Sequence, residues 1–439
     1  MNETKSLSKS IQTILKDNFI QNNIVFFFGS LIVSALNYLY YPVLGRVMNV
    51  EDFGEVQAII SILLQTSIIF AVFSYLKINI LTNYKNEEEK KDVLLALEKI
   101  ALILSGVIFL FILASSVFLK EFLHFQSFYP FVALAFLLPL SVPLTFRNAY
   151  MISEKKFSKS SVAGAMSAVG KTVFTLMFIY LGFRTLGAVT GLILSQIVAI
   201  LYLSYQKNGN FSLIPISALK SSMRSAKTLK KEIKKGFFIL IILVSATFFF
   251  TSDVIFVRIF FSSTESGLYS GIATVARIIY FVTGSVSVVL LSSVKVGERA
   301  KNIKILKRSF SLILMLGGGC LAAFSLFPDF VIDTLIGSKF VVYSGLLPWL
   351  SLSLFLTAIL NLLFVYHIAL QRYMISIFVL AGVLMIFLLS VLNHDTITAV
   401  IFNFIISNIF VFVLLFGWEA LKELKKNGSK TNLNNNPPL

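Results

Sequence analysis

The chain has little with which to build a soluble enzyme. Its single cysteine, Cys320, excludes an internal disulfide, and its three histidines, His124, His367 and His394, stand far apart without metal-ligand spacing. Charged residues make up only 13% of 439 positions, against roughly 25% in an ordinary domain. Acids are scarcer still: 21 Asp and Glu face 38 Lys and Arg, for a net charge of +17. Such an excess can mark a nucleic-acid binder, but these cations lie in short connections between apolar runs rather than along one polar face. They read as topology signals, and no nucleic-acid partner is expected.

Signatures of chemistry are missing as well. Gly170-Lys171-Thr172 resembles the end of a phosphate-binding loop, but Ala165 stands where that motif needs its first glycine. Neither a cofactor nor a metal is expected, and the chain does not read as an enzyme. A membrane glycan polymerase or ligase would present a large outer loop, whereas the longest outer connection here is about 332–345.

What is abundant is apolar surface. Apolar residues reach 57%, with 44 Phe and 15 Tyr, and the mean hydropathy is +0.86. No globule hides that excess, because even a large domain leaves much of its surface to polar groups. Runs of the roughly 17–25 residues that a bilayer requires predict twelve spans, at 24–46, 53–76, 98–119, 128–151, 161–183, 185–205, 236–260, 267–294, 308–331, 346–370, 374–393 and 396–418. The fold class is therefore an all-α integral membrane protein.

Lys and Arg set the orientation. Of the 38, five fall inside spans and only Lys120, Arg184 and Lys339 fall in one alternate set of connections, so the remaining thirty share the other set with both ends of the chain. Both termini are expected in the cytoplasm. Residues 1–23 are expected to be an interfacial lead-in rather than a cleaved signal, with Leu7, Ile11, Leu15 and Phe19 on one helical face. The polar tail, 422–439, is expected to lack regular structure.

The longest connection, 206–235, is strongly basic and separates six spans (24–205) from six (236–421), which makes it the expected hinge between two lobes. The halves echo one another. Arg46 ends span 1 and is followed by the acidic turn Glu51-Asp52 and by Gly54, which opens span 2; Arg258 near the end of span 7 is followed by Glu265 and by Gly267, which opens span 8. Transporters are often built from such repeats. Gly187-x3-Gly191 and Gly267-x3-Gly271 read as helix-packing faces, and Pro42, Pro139 and Pro143 as kinks within spans 1 and 4.

Intramembrane charges are the candidate functional residues, since each costs at least ~2.5–3.5 kcal/mol at mid-span. They are Arg46, Arg147, Lys171, Asp253, Arg258 and Arg277. Arg277 and Lys171 each lie ten residues inside their predicted spans, ~15 Å by helix rise, too deep to reach water. Arg46, Arg147 and Arg258 sit nearer span ends, where snorkelling to the interface competes with a cavity role. Asp253 is turned by about 140° from Arg258, so its partner must come from another helix or be a bound cation. Five cations to one anion favour an anionic cargo, and guanidinium forks suit phosphate.

Four segments carry a family resemblance: GSLIVSALNYLYYPVLGRVMNVEDFGEVQAIISI, FRNAYMISEKKF, SDVIFVRIFFSSTESGLYSGIATVARI and IDTLIGSKFVVYSGLLPWLSLS. In this order they resemble Wzx-type polysaccharide flippases of the multidrug/oligosaccharidyl-lipid/polysaccharide exporter superfamily. The resemblance implies two six-helix lobes around a central cavity in the bacterial cytoplasmic membrane. It also implies a cargo of oligosaccharide on a polyprenyl diphosphate, and other glycan-assembly proteins as partners. Its cationic cavity residues would be Arg46, Arg258 and Arg277, then Arg147 and Lys171, with Asp253 as counter-charge or as the site of coupling to a proton or sodium gradient. The alternatives are a multidrug or cation exporter of the same superfamily, which would prefer an acidic cavity, and a glycan polymerase or ligase. Cysteine labelling in intact cells should place 206–235 on the cytoplasmic side, and an outer location would overturn the topology.

Overall fold

The computed structural model describes the backbone of residues 18–84, 86–205 and 226–434, and their side chains except at 18–28, 30, 83, 226–228, 292 and 420–434. The chain forms two compact units, Met1–Phe237 and Phe238–Leu439. Helices of the first are α1 (Asn18–Val47), α2 (Val50–Asn83), α3 (Glu87–Phe122), α4 (Tyr129–Ser153), α5 (Phe157–Tyr180) and α6 (Arg184–Tyr205). Helix α7 (Ala226–Phe260) leads into the second, followed by α8 (Ser263–Ala276), α9 (Ile278–Ser293), α10 (Arg299–Leu326), α11 (Pro328–Leu335), a 3₁₀ segment (Ser338–Leu346), α12 (Leu347–Ala369), α13 (Ile375–Leu392) and α14 (Ile397–Asn434). Among the described residues, 11 helical segments are long and apolar enough to cross a membrane, matching predicted spans 2 to 12. The first predicted span coincides with α1, 30 residues long.

Helix ends depart from the predicted spans most at α3, α7 and α10, which start well before their apolar runs, and at the chain's last helix, which outlasts its own. Helix α3 begins at Glu87, capped by Asn86, whose side chain accepts from the Glu88 and Glu89 amides, and its first turn of acids suits the positive end of the helix. Helix α10 begins at Arg299 and stops at Leu326, where Pro328 starts α11 and cannot continue the preceding hydrogen-bond ladder. Residues 226–235, expected as linker, form the first turns of α7; residues 206–225 of that linker lie outside the described residues, as do 1–17 of the interfacial lead-in. The tail is helical through Asn434, where no regular structure was expected. Ala, Leu, Glu and Lys over 419–426 are strong helix formers, and extending an existing helix avoids the cost of nucleation.

The echoed turns of the two halves share a capping rule. Asn49 caps α2 by accepting from the Asp52 amide at 2.7 Å, and Ser262 forms a reciprocal capping box with Glu265 at the start of α8. Predicted span 8 comprises α8 and α9, which meet at Arg277 with helical backbone and i→i−4 bonds on both sides.

In the first unit α4 is central, with 56% of its apolar window buried, whereas α3 and α5 bury only 17% of theirs. The exposed faces of those two carry Leu110, Phe111, Phe118, Val173 and Met177, the side chains a bilayer accepts. One end of the unit is stapled by buried Glu55, whose carboxylate accepts from the Gln126 amide at 2.8 Å and the Thr185 hydroxyl at 2.6 Å. The other end is tied by buried Glu232 of α7, which accepts from Tyr84, Asn79 and Lys235. Burial and the neighbouring Glu232 push the Tyr84 phenol up to about 12, so it stays a donor at physiological pH.

Helices α5 and α6 pack closely because Gly191 has no side chain. A Cβ there would lie 2.6 Å from the Thr175 amide nitrogen and 2.9 Å from its Cα, and backbone cannot step aside. Gly191→Ala should therefore lower stability by about 1–3 kcal/mol. Gly318→Ala, at a helical position open to at least 4 Å, should be neutral or stabilising by about 0.5–1 kcal/mol. Thermal unfolding of the purified protein in detergent checks both.

Candidate functional site

In the second unit the deep charges neutralise one another. Asp253 on α7 is 3% exposed, and one carboxylate oxygen receives Arg277 Nη2 at 2.8 Å while the other accepts from the Tyr269 hydroxyl at 2.9 Å. Arg277 Nε also donates to the Phe250 carbonyl at 3.3 Å, and its guanidinium lies 5.5 Å from the Phe250 ring. The pair forms at the junction of α8 and α9, where the Arg277 amide still donates to the Ala273 carbonyl at 3.0 Å. Arg258 is 1% exposed and donates to the Ser266 hydroxyl at 2.9 Å and the Ser263 carbonyl at 3.4 Å, both on α8. It is buried within its unit, which decides against snorkelling. Arg46, by contrast, is exposed in the last turn of α1, at the end of the helix that favours cations.

In the first unit Arg147 donates to the Ile200 carbonyl of α6 at 3.3 Å and lies within electrostatic range of Glu98. Glu98 is 5% exposed and also interacts with Lys77, whose ammonium sits over the Phe146 ring at 4.9 Å. Neither Lys77 nor Glu98 stands out in the sequence. Glu98 falls at the edge of an apolar run, but α3 starts eleven residues earlier, which carries this carboxylate three turns into the helix.

Lys171 is different. It lies 14 residues from Phe157 and 9 from Tyr180, about 21 Å and 14 Å from the ends of α5. Its ammonium donates to the Asn37 carbonyl at 3.3 Å and rests over the rings of Tyr40 at 4.6 Å and Tyr41 at 5.7 Å. Among the described residues no carboxylate pairs with it. Tyrosine faces and a helix carbonyl stabilise an ammonium only partly, so the site keeps a net positive charge at mid-span. Asn37, Tyr40 and Tyr41 are residues the charge-based reading passes over; their signal is a polar and aromatic run in α1 at helical spacing, interrupted by Pro42.

Beside Lys171, still within the first unit, α1, α2, α4, α5 and α6 line an open cavity of about 430 Å³. Asn37 belongs to both places: its carbonyl holds Lys171 and the residue lines the cavity. A cation without a carboxylate, next to a neutral polar cavity, can receive an anionic group that carries hydrogen-bonding substituents. Asp253 and Arg277 are already matched to one another. Removing one member should cost about 3–5 kcal/mol: Asp253→Ala should destabilise strongly, and Asp253→Leu combined with Arg277→Met should recover most of the loss. Thermal unfolding of the two proteins measures this, and additive losses would show that the charges do not depend on one another.

The fold is that of known membrane transporters. An inward-facing multidrug resistance MATE family transporter of the MOP superfamily superposes with a TM-score of 0.70 at 17% identity, over 90% of this chain and 95% of that one. The lipid II flippase MurJ, in an inward closed conformation, gives 0.67 at 15% identity over 91% and 87%. A MOP superfamily transporter from Pyrococcus furiosus, described as having a binding pocket of reverse polarity, gives 0.53 at 17% over 92% and 94%. No curated protein matches the chain by sequence. The family model of polysaccharide biosynthesis proteins, however, matches residues 19–291, from the first helix through the Asp253–Arg277 pair to the end of α9, and the chain belongs to that family.

Proposed function

We propose that this protein is a flippase that moves a polyprenyl-diphosphate-linked oligosaccharide, such as an O-antigen or capsule repeat unit, from the cytoplasmic to the outer leaflet by alternating access. The observation that carries the reading is Lys171, a mid-span cation without a carboxylate partner among the described residues, in a member of a polysaccharide biosynthesis family. A half-buried ammonium at mid-span is costly unless the working cycle supplies an anion. A diphosphate supplies it, and the compact ammonium acts as a point charge on the phosphate oxygens. Arg46, exposed near the end of α1, is suited to attract the headgroup, while Arg147 and Arg258 hold their helices through carbonyl and hydroxyl contacts. Arg277 and Asp253 tie α7 to the junction of α8 and α9, and a proton or sodium gradient would act by opening this pair at Asp253.

The inside-negative potential favours outward movement of the anion by ~2.3 kcal/mol per charge per 100 mV. The protein is placed in a bacterial cytoplasmic membrane with both termini inside, following the asymmetry of Lys and Arg. Export of a cationic drug is the poorer reading: the deep carboxylates Asp253 and Glu98 already face Arg277 and Arg147.

Reconstituted vesicles loaded with a labelled lipid-linked oligosaccharide test the proposal. The wild-type protein should expose the sugar on the opposite leaflet without adding or transferring sugars. Lys171→Ala should slow this by roughly tenfold or more at unchanged protein abundance, a loss typical of a charge-assisted contact, and Lys171→Arg should keep part of it. Formation of longer glycans without translocation would point to a polymerase, and full activity of Lys171→Ala would remove Lys171 from the headgroup site.

A further inference from the structure

The cavity beside Lys171 is unusual in what its hydroxyls leave undone. Serine and threonine in membrane helices ordinarily return their hydroxyl to a carbonyl one turn back, and many here do so: Ser61 to Gln57, Thr66 to Ile62, Thr172 to Ala168 and Ser204 to Ile200. Four cavity-lining residues make no such bond. Ser67 and Ser74 of α2, Thr145 of α4 and Ser167 of α5 have no protein hydrogen-bond partner among the described residues, and all line the cavity. Two amides join them. Asn37 gives its Nδ2 to the Val33 carbonyl and keeps its Oδ1 uncommitted, and Asn148 accepts from Ser160 and keeps its Nδ2.

The positions converge by helical spacing. Ser67, Ala71 and Ser74 share one face of α2, and Ser160, Gly164 and Ser167 share one face of α5, with Lys171 one turn further along. Small residues hold the space open. A Cβ on Gly164 would come within 3.1 Å of Val33. The volume, about 430 Å³, is within the range of roughly 300–1,000 Å³ typical of small-molecule sites.

Six half-buried polar groups facing one cleft suit an occupant that both donates and accepts hydrogen bonds. None of the lining residues is charged, so the cleft offers an ion no counter-charge, and it suits a neutral polyol. Position narrows the choice further. Side chains one helical turn apart lie about 5–6 Å from each other at Cβ, so Ser167 and Lys171 are spaced as a sugar ring and the phosphate to which it is directly bonded. We infer that the cavity is a recognition subsite for a neutral pyranose, the first sugar of the lipid-linked cargo. The inference rests on the flippase reading above and adds to it which part of the cargo sets specificity: the diphosphate goes to Lys171, and the ring hydroxyls and any acetamido group go to the hydroxyls and amides of the cavity. The subsite lies in the half of the unit bordered by the Lys-rich connections 85–91 and 155–159, the side from which the cargo is loaded.

The test uses full-length protein with Cys320→Ser, so that a cysteine introduced by Ser167→Cys is unique, reconstituted in vesicles and reacted with a small maleimide. Three probes are compared: farnesyl diphosphate carrying one N-acetylhexosamine, farnesyl diphosphate alone, and free N-acetylhexosamine. The glycosylated probe should slow labelling by roughly tenfold and the other two by less than about twofold, since the sugar is held in place by its phosphate anchor. Equal protection by farnesyl diphosphate alone would assign the position to the phosphates and overturn the sugar subsite. Equal protection by free sugar would overturn the anchored geometry.

A filling variant, Ser67→Leu, should slow transport of the glycosylated lipid by roughly tenfold or more while moving the sugarless lipid diphosphate within about twofold of wild type, because it removes hydrogen bonds and space only where the ring sits. If wild type moves the glycosylated lipid and no probe alters labelling, the cavity is a hydrated void off the path and the inference alone falls. If wild type moves neither lipid and no probe protects, the flippase reading falls, and the subsite with it.

Discussion

A hydrocarbon layer offers no water to complete a hydrogen bond or screen a charge, and every polar group buried at depth must find its partner inside the protein or in what the protein carries. That constraint sorts the deep charges of this chain. Asp253 uses both carboxylate oxygens, one on Arg277 and one on Tyr269. Glu55 uses both of its own, on the Gln126 amide and the Thr185 hydroxyl. These are closed accounts. Lys171 has a carbonyl and two aromatic faces, which hold an ammonium in place without cancelling its charge. The difference between a satisfied ion pair and a half-satisfied cation separates scaffold from site.

At Arg277 one side chain ties two helices together while its own backbone runs on: the Arg277 amide donates to the Ala273 carbonyl at 3.0 Å, and its carbonyl accepts from Phe281 at 3.1 Å. The guanidinium reaches α7, bonding the Phe250 carbonyl and the Asp253 carboxylate together. Phe250 in turn stacks on Tyr280 of α9 at 4.2 Å between centroids. Ion pair, carbonyl bond and ring stack therefore join α7 to the same stretch of α8 and α9.

Spans were legible because long apolar runs have no other solvent, and both echoed turns were legible because capping is local. Three things were not. Helices extend past the apolar runs at Glu87, Arg299 and beyond residue 422, where polar helix formers continue a helix that hydropathy alone cannot see. The Arg277–Asp253 pairing was hidden, since burial makes both charges conspicuous while only tertiary packing says that they meet. Glu98 and Lys77 were hidden for the opposite reason: each sits near a run's edge, where a charge needs no explanation. The cavity was least legible of all. Ser67, Thr145, Asn148 and Ser167 are ordinary residues in membrane helices, and what distinguishes them is the carbonyl bond they do not make.

The two halves share a turn and differ in chemistry. Asn49 and Ser262 cap the helices that follow Arg46 and Arg258, with acids in each first turn, yet Arg46 is exposed and Arg258 is 1% exposed. The same local rule therefore serves two ends. In the second unit the arginine is drawn into the hydroxyls of α8 and joins a buried polar seam of Ser266, Ser270 and Thr274, whose hydroxyls return to their own helix. In the first unit the arginine stays at the surface, and four hydroxyls, on Ser67, Ser74, Thr145 and Ser167, line one cleft without returning to a carbonyl. Hydroxyls that bond their own helix are silent toward a ligand; hydroxyls that do not are available to one.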